Sequence, residues 1–197
     1  MQKVIMVFVM VIAFLLSAPI QASAFTNGSF ESGLAGWENY NVDVGSWWLP
    51  SHGSYCVDLS GMSAGWVRQS FSTNPGSTYA VSFDMAGNMY SSPTIKTMVV
   101  DILDASSVSL YSQQYTFNTT GWSGANASSF NGWEYHSLLF TATSDITTLK
   151  FTSLINTAYG PSIDNVQVYT TTIPEPSCMF LFVMALAVCL FKVLSKI

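Results

Sequence analysis

Hydrophobic and polar positions alternate with a period of two through much of the chain between residues 25 and 173. Tyr79, Val81, Phe83 and Met85 alternate with Ala80, Ser82, Asp84 and Ala86, which predicts a half-buried strand ending at Gly87-Asn88. Met98, Val100 and Ile102 turn one face of the next strand inward, and Leu149, Phe151 and Ser153, opposed by Thr148, Lys150 and Thr152, do the same for another. Tyr55, Val57 and Leu59 alternate before Ser60-Gly61, and Val67, Gln69 and Phe71 before Asn74-Pro75-Gly76. Val166 and Val168 mark a strand near the end, and two more are expected around Val108 to Phe117 and Trp133 to Ala142. No window here has helical periodicity. Eight or more short strands separated by turn residues predict an all-β fold, a jelly-roll β-sandwich. Ser123 to Ser129, small and polar, predicts a long mobile loop.

The two ends break the alternation. Lys3, the apolar run Val4 to Leu16 and the small residues Ala22-Ser23-Ala24 have the order of a secretory signal, so residues 1–24 are expected to be removed and the mature chain to begin at Phe25. A retained membrane anchor is the alternative, against which Pro19 and the cleavage site argue. Cys178 to Phe191 is an unbroken apolar run with no polar face, preceded by Pro174, Glu175 and Pro176 and followed by Lys192 and Lys196. With Lys192 snorkelling, Ser177 to Leu194 as a helix reaches about 27 Å, enough for a slightly thinned bilayer core of about 30 Å. The prolines stop a helix from entering the domain, and the lysines set the orientation. Residues 25–173 are therefore expected to be one domain between a signal peptide and a transmembrane segment at 174–197.

Charge narrows the function. From Phe25 to Pro176 three basic side chains, Arg68, Lys96 and Lys150, stand against eleven acids, a net of −8 that repels a phosphate backbone and excludes nucleic-acid binding. Cys178 and Cys189 fall in the C-terminal apolar run, which leaves Cys56 alone in the domain, without a disulfide framework and in the role of a small packed residue.

Two resemblances follow from these residues. The order of Pro174-Glu175-Pro176, apolar helix and short basic tail resembles the PEP-CTERM sorting signal, which implies an exosortase-type transpeptidase as partner and the surface or extracellular matrix of a Gram-negative bacterium as destination. A glycosylphosphatidylinositol signal is the rival, and the charged residues after the run weigh against it. Asn27-Gly28-Ser29-Phe30-Glu31, Gly36-Trp37, Val57-Asp58-Leu59-Ser60-Gly61, Tyr79-Ala80-Val81-Ser82-Phe83, Ala86-Gly87-Asn88 and Gly160-Pro161-Ser162-Ile163-Asp164-Asn165-Val166 resemble the choice-of-anchor C domain. That resemblance implies a galactose-binding-like β-sandwich and an association with polysaccharide.

Candidate chemistry is sparse. Gly61-Met62-Ser63-Ala64-Gly65 has the spacing of a nucleophile elbow, with His52 and His136 as possible partners, but an elbow needs a strand before it and a helix after it, and Trp66 to Phe71 is expected to be a strand. A glycosidase needs two acids about 5 to 10 Å apart, and a fold with no cleft holding two carboxylates would favour binding or structure over hydrolysis. In sandwiches of the resembled type the first and last strands meet, which would bring Glu31 to Asp164; the pair would suit a structural calcium ion, or would simply hydrogen-bond turn backbones. Sugar binding needs flat apolar faces flanked by hydrogen-bonding groups. Trp47 and Trp48 with Tyr40, Asn41 and Asp43 supply both, and if the two tryptophans share a strand, one faces solvent and the other the core. The expectation is thus a non-enzymatic, exported, surface-sorted protein that binds or sits within extracellular polysaccharide. The rivals are a polysaccharide-processing hydrolase and a purely structural surface protein.

Overall fold

The computed structural model of the protein describes residues 25–171. The predicted signal, the Pro174-Glu175-Pro176 motif and the C-terminal apolar run lie outside the described residues, and no described helix is long and apolar enough to cross a membrane. Ten strands form the domain: β1 Glu38–Tyr40, β2 Asp43–Gly45, β3 Cys56–Asp58, β4 Trp66–Ser72, β5 Thr78–Gly87, β6 Ile95–Asp104, β7 Ser109–Asn118, β8 Glu134–Thr141, β9 Ile146–Ser153 and β10 Pro161–Thr170. They pair antiparallel in two five-stranded sheets, ordered β1-β4-β9-β6-β7 and β2-β3-β10-β5-β8.

The period-two pattern explains the packing. Met98, Val100 and Ile102 on β6, Leu149 and Phe151 on β9, and Val67 and Phe71 on β4 are buried against Val81, Phe83 and Met85 on β5 and Ile163 on β10. Phe83 of one sheet meets Phe151 of the other edge to face at 5.2 Å, and Trp37 packs on Phe151 at 6.4 Å. Truncating Phe151 to Ala would cost about 3–5 kcal/mol, because the cavity would lie between two rigid sheets. Gln69, inward on β4, exchanges two hydrogen bonds with the Thr26 backbone (2.8 and 3.0 Å) and so ties the N-terminal segment to the sheet. Cys56 is buried, its Sγ 3.5 Å from the Gly45 carbonyl; burial first, then Asp164 and Asp58, push its thiol far up, which keeps it unreactive.

Two expectations change. The segment Ser123–Ser129 is pinned: the Asn126 side chain bonds Ser123 N and Gly121 O, Ala127–Ser129 form a 3-10 turn, and buried Ala127 accepts from Leu49 N at 3.2 Å. Only Ala127 of this segment is buried, and the other small residues stay exposed. Trp47 and Trp48 lie after β2 in a bent segment and share no strand, because the chain leaves the sheet edge at Gly45.

Candidate functional site

Three connections meet at one end of the sandwich: β3 to β4 (59–65), β5 to β6 (88–94) and β9 to β10 (154–160). Asp58, at the end of β3, joins all three. Its Oδ1 accepts from Ser60 N at 2.9 Å, its Oδ2 accepts from Asn88 Nδ2 at 2.7 Å, and the Gly160 N–H adds a third bond. Asn88 completes the clasp by donating to Ala158 O (3.2 Å) and, through its backbone, to Gly160 O (2.8 Å), while its Oδ1 receives Tyr90 N (3.1 Å). Burial raises the Asp58 carboxyl to about 7, and nearby Asp43 adds to the rise, against the lowering pull of Asn88, Ser60 and Gly160. Below this floor is fully buried Lys96. It falls in the inward row of β6 with Met98 and Val100, and its Nζ donates to Ser91 O at 2.8 Å and Tyr159 O at 2.9 Å. Burial lowers it to about 8, with Asp58 opposing.

Above the floor is a cleft of about 370 Å³, within the range of small-molecule sites, lined also by Asp43 and Gly61. Its rim is aromatic: Trp47 is 40%, Tyr90 50% and Tyr159 37% exposed. The Trp47 ring lies back on Gly45, where a Cβ would stand 2.7 Å from it. Tyr90 borders Gly124 with one ring edge, where a Cβ would stand 2.5 Å from it. The Tyr90 hydroxyl donates to Trp47 O at 2.9 Å and latches the two together. The Trp47 ring thus has one face held by the protein, while Tyr90 is fixed at its hydroxyl and along one ring edge.

Of the expected sugar-binding residues, the fold brings Asp43 and Trp47 into the cleft. Trp48 is 1% exposed, packed between Trp47 (5.6 Å) and Tyr90 (6.5 Å), so it supports the rim and offers no face to a ligand. Tyr40 is on β1, in the other sheet, opposite Trp66 and outside the cleft lining. Asn88, Tyr90 and Tyr159 were not anticipated. Asp58 and Asn88 belong to strings noted in the sequence, but only the folded chain shows that they meet. Glu31 and Asp164 do reach one segment: Glu31 Oε1 accepts from Ser54 N (2.8 Å) and Tyr55 N (2.9 Å), and Asp164 accepts from His52 N (2.9 Å), Ser51 Oγ (3.1 Å) and Asn165 N (2.7 Å). N–H and O–H donors stand where a calcium ion would need oxygen acceptors, and no group of three or more His, Cys, Asp or Glu is gathered among the described residues. This donor set fits turn capping, the hydrogen-bonding alternative for the two carboxylates. Ser63, His52 and His136 sit on three different elements, and β4 follows the Gly61–Gly65 turn where an elbow would need a helix.

Residues 40–169, more than half of the chain, match the family described as "Protein of unknown function (DUF642)". No curated protein matches the chain. Among solved structures it is similar to TmCBM61 in complex with beta-1,4-galactotriose, at 16% identity and a TM-score of 0.55, covering 77% of this chain and 100% of that one. It is similar also to a Family 16 Carbohydrate Binding Module-2 (19%, TM-score 0.51, 73% and 97% covered) and to the Xylan-Binding Domain from CBM 22 (15%, 0.51, 79% and 100%). At these identities the likeness is one of fold, the two-sheet sandwich of carbohydrate-binding modules.

Proposed function

This chain belongs to the DUF642 family, and we propose that its sandwich is a non-catalytic module that holds extracellular polysaccharide in the cleft between Trp47, Tyr90 and Tyr159. One observation carries the reading: the Trp47 ring is laid on Gly45 and the Tyr90 hydroxyl is latched to the Trp47 carbonyl, so an aromatic rim stands fixed above a polar floor before any ligand arrives. Pyranose rings present C–H faces to such platforms and hydroxyls to groups such as Asp43. The carbohydrate-binding neighbours support this use of the fold. Two carboxylates, Asp43 and Asp58, line the cleft and pair in register, so the absence of a two-acid cleft cannot be used against hydrolysis. What argues against it is Asp58 itself, 3% exposed and with both oxygens held by N–H donors, out of reach of a glycosidic oxygen.

We infer further, from sequence, that residues 1–24 export the chain and that Pro174, Glu175 and Pro176 with the apolar run are a PEP-CTERM signal on a choice-of-anchor C protein. An exosortase-type transpeptidase would then deliver the module to the cell surface. The test of the binding reading is affinity electrophoresis in gels containing β-1,4-galactan, xylan or other neutral polysaccharides, the first two being the glycans that two of the similar structures are named for. At least one should retard the protein, and Trp47→Ala should weaken that retardation about tenfold or more, the loss of one stacking anchor. No retardation by any polysaccharide, or equal retardation of Trp47→Ala, would refute it.

A further inference from the structure

The charge of the cleft is one-sided. Its ionisable lining outside the tyrosines is exposed Asp43 and, in the floor, Asp58, which burial holds towards its neutral form, so at mildly acidic pH Asp43 carries the charge. Every lysine and arginine of the described domain is turned elsewhere, and neither histidine lines the cleft. Lys96 lies beneath the floor with its ammonium on the Ser91 and Tyr159 carbonyls. Arg68 and Lys150 project from the outer face of the other sheet, each 5.3 Å from the Trp66 ring, with Arg68 also paired to Glu38.

An exposed carboxylate beside the open faces of electron-rich rings is a setting for a cation. An ammonium over such a face is attracted by the ring quadrupole, and a carboxylate within a few ångströms adds to the attraction in a concave, partly dry site. A carboxylated sugar meets the Asp43 carboxylate, and the one nearby lysine, Lys96, is buried beneath the floor with its ammonium already taken by the Ser91 and Tyr159 carbonyls. We propose that this cleft selects glycans whose rings carry a protonated amine over neutral rings, and rejects uronates. The proposal rests on the polysaccharide reading and names the substrate class of the same site.

The experiment is calorimetric titration of the full chain with three probes of one length: a glucosamine tetramer, its fully N-acetylated counterpart and a galacturonate tetramer, at one mildly acidic pH and at low and high salt. The amine tetramer should bind about tenfold tighter than the N-acetylated one at low salt, and high salt should shrink that ratio. The galacturonate should not bind. Asp43→Asn should bring the ratio toward one, and Trp47→Ala should weaken the amine tetramer. Equal binding of the amine and N-acetylated forms, or binding of galacturonate, would overturn the selection while leaving the polysaccharide reading in place. Amine-tetramer binding untouched by either substitution would be general attraction to an acidic protein and would overturn it too. If neither tetramer nor any neutral polysaccharide binds, both readings fall.

Discussion

Replacing Asp58 by Asn removes one buried charge from the floor of the cleft and should flatten the acid side of the stability profile. Folding takes this carboxyl from its ordinary 3.8 to about 7, chiefly by burial. A raised acid prefers to be neutral in the folded state. Its contribution is therefore fully present below about pH 4 and lost as pH rises through about 7, where the folded chain must ionise it. At about 1.36 kcal/mol per tenfold change in proton affinity the loss is about 4 kcal/mol, or roughly 8–16 °C in melting temperature for a domain of this size. Asp164, raised by burial to about 6, adds a loss of the same sign over a lower range and keeps it in the variant. Lys96 runs the other way: lowered to about 8, it weakens the fold as pH falls through 8, so the wild type should be least stable near neutrality to pH 8. In Asp58→Asn an amide N–H would face the Asn88 amide, a penalty of about 1–3 kcal/mol that shifts the whole curve without tilting it. Urea denaturation at intervals from pH 4 to 8 reads the slope directly. A variant whose stability falls with pH as steeply as the wild type would refute the assignment of that loss to Asp58.

Three further outcomes are expected. Gly45→Ala should displace the Trp47 ring and weaken glycan binding about tenfold while melting within a few degrees of wild type, checked by affinity electrophoresis and thermal melts; unchanged affinity would mean the ring's seat does not matter. Calcium chelation should leave the melting temperature unchanged, whereas Glu31→Ala, which strips the acceptor from Ser54 N and Tyr55 N, should lower it by an amount corresponding to about 1–3 kcal/mol; a chelator-sensitive melt would restore the metal. In a host with an exosortase, Glu175→Ala should leave an uncleaved chain, and mass spectrometry finding a surface-located wild-type product that still ends at Ile197 would make the tail a simple anchor.

The longer strands were legible because β6 and β9 bury every second residue, and that parity was enough to predict a sandwich; β5, expected to be half-buried, is instead buried on both faces, its small Ala80, Ser82 and Ala86 filling the second face. β1 and β2 were not. Each has three residues, and Glu38-Asn39-Tyr40 is exposed throughout, so no alternation could form. Lys96 was in plain sight, since its parity on β6 places it inward, but a lone charge in an inward row reads as an outward exception until its carbonyl partners are known. The site was half legible. Residue type singled out Asp43 and Trp47, and it admitted Tyr40 and Trp48, whose places depend on which sheet β1 joins and how the chain bends after Gly45. The clasp of Asp58, Asn88 and Gly160 unites three connections distant in sequence, and no local pattern records it. For Glu31 and Asp164 the meeting on one segment was foreseeable, while the donors on their oxygens come mostly from the backbone of His52–Tyr55, with the Ser51 hydroxyl and Asn165 N completing Asp164.

The most direct test of the central claim is backbone NMR of the isotope-labelled domain, residues 25–173, titrated with the tightest oligosaccharide from the binding screen. If the cleft is the binding site, the largest shifts will fall on Asp43 to Trp48, Asp58 to Gly61, Asn88 to Tyr90 and Ala158 to Gly160, and the Trp47 indole will move with the same affinity. Shifts confined to the outer faces of the sheets, around Trp66 or Tyr169, with these loops unmoved, would contradict it.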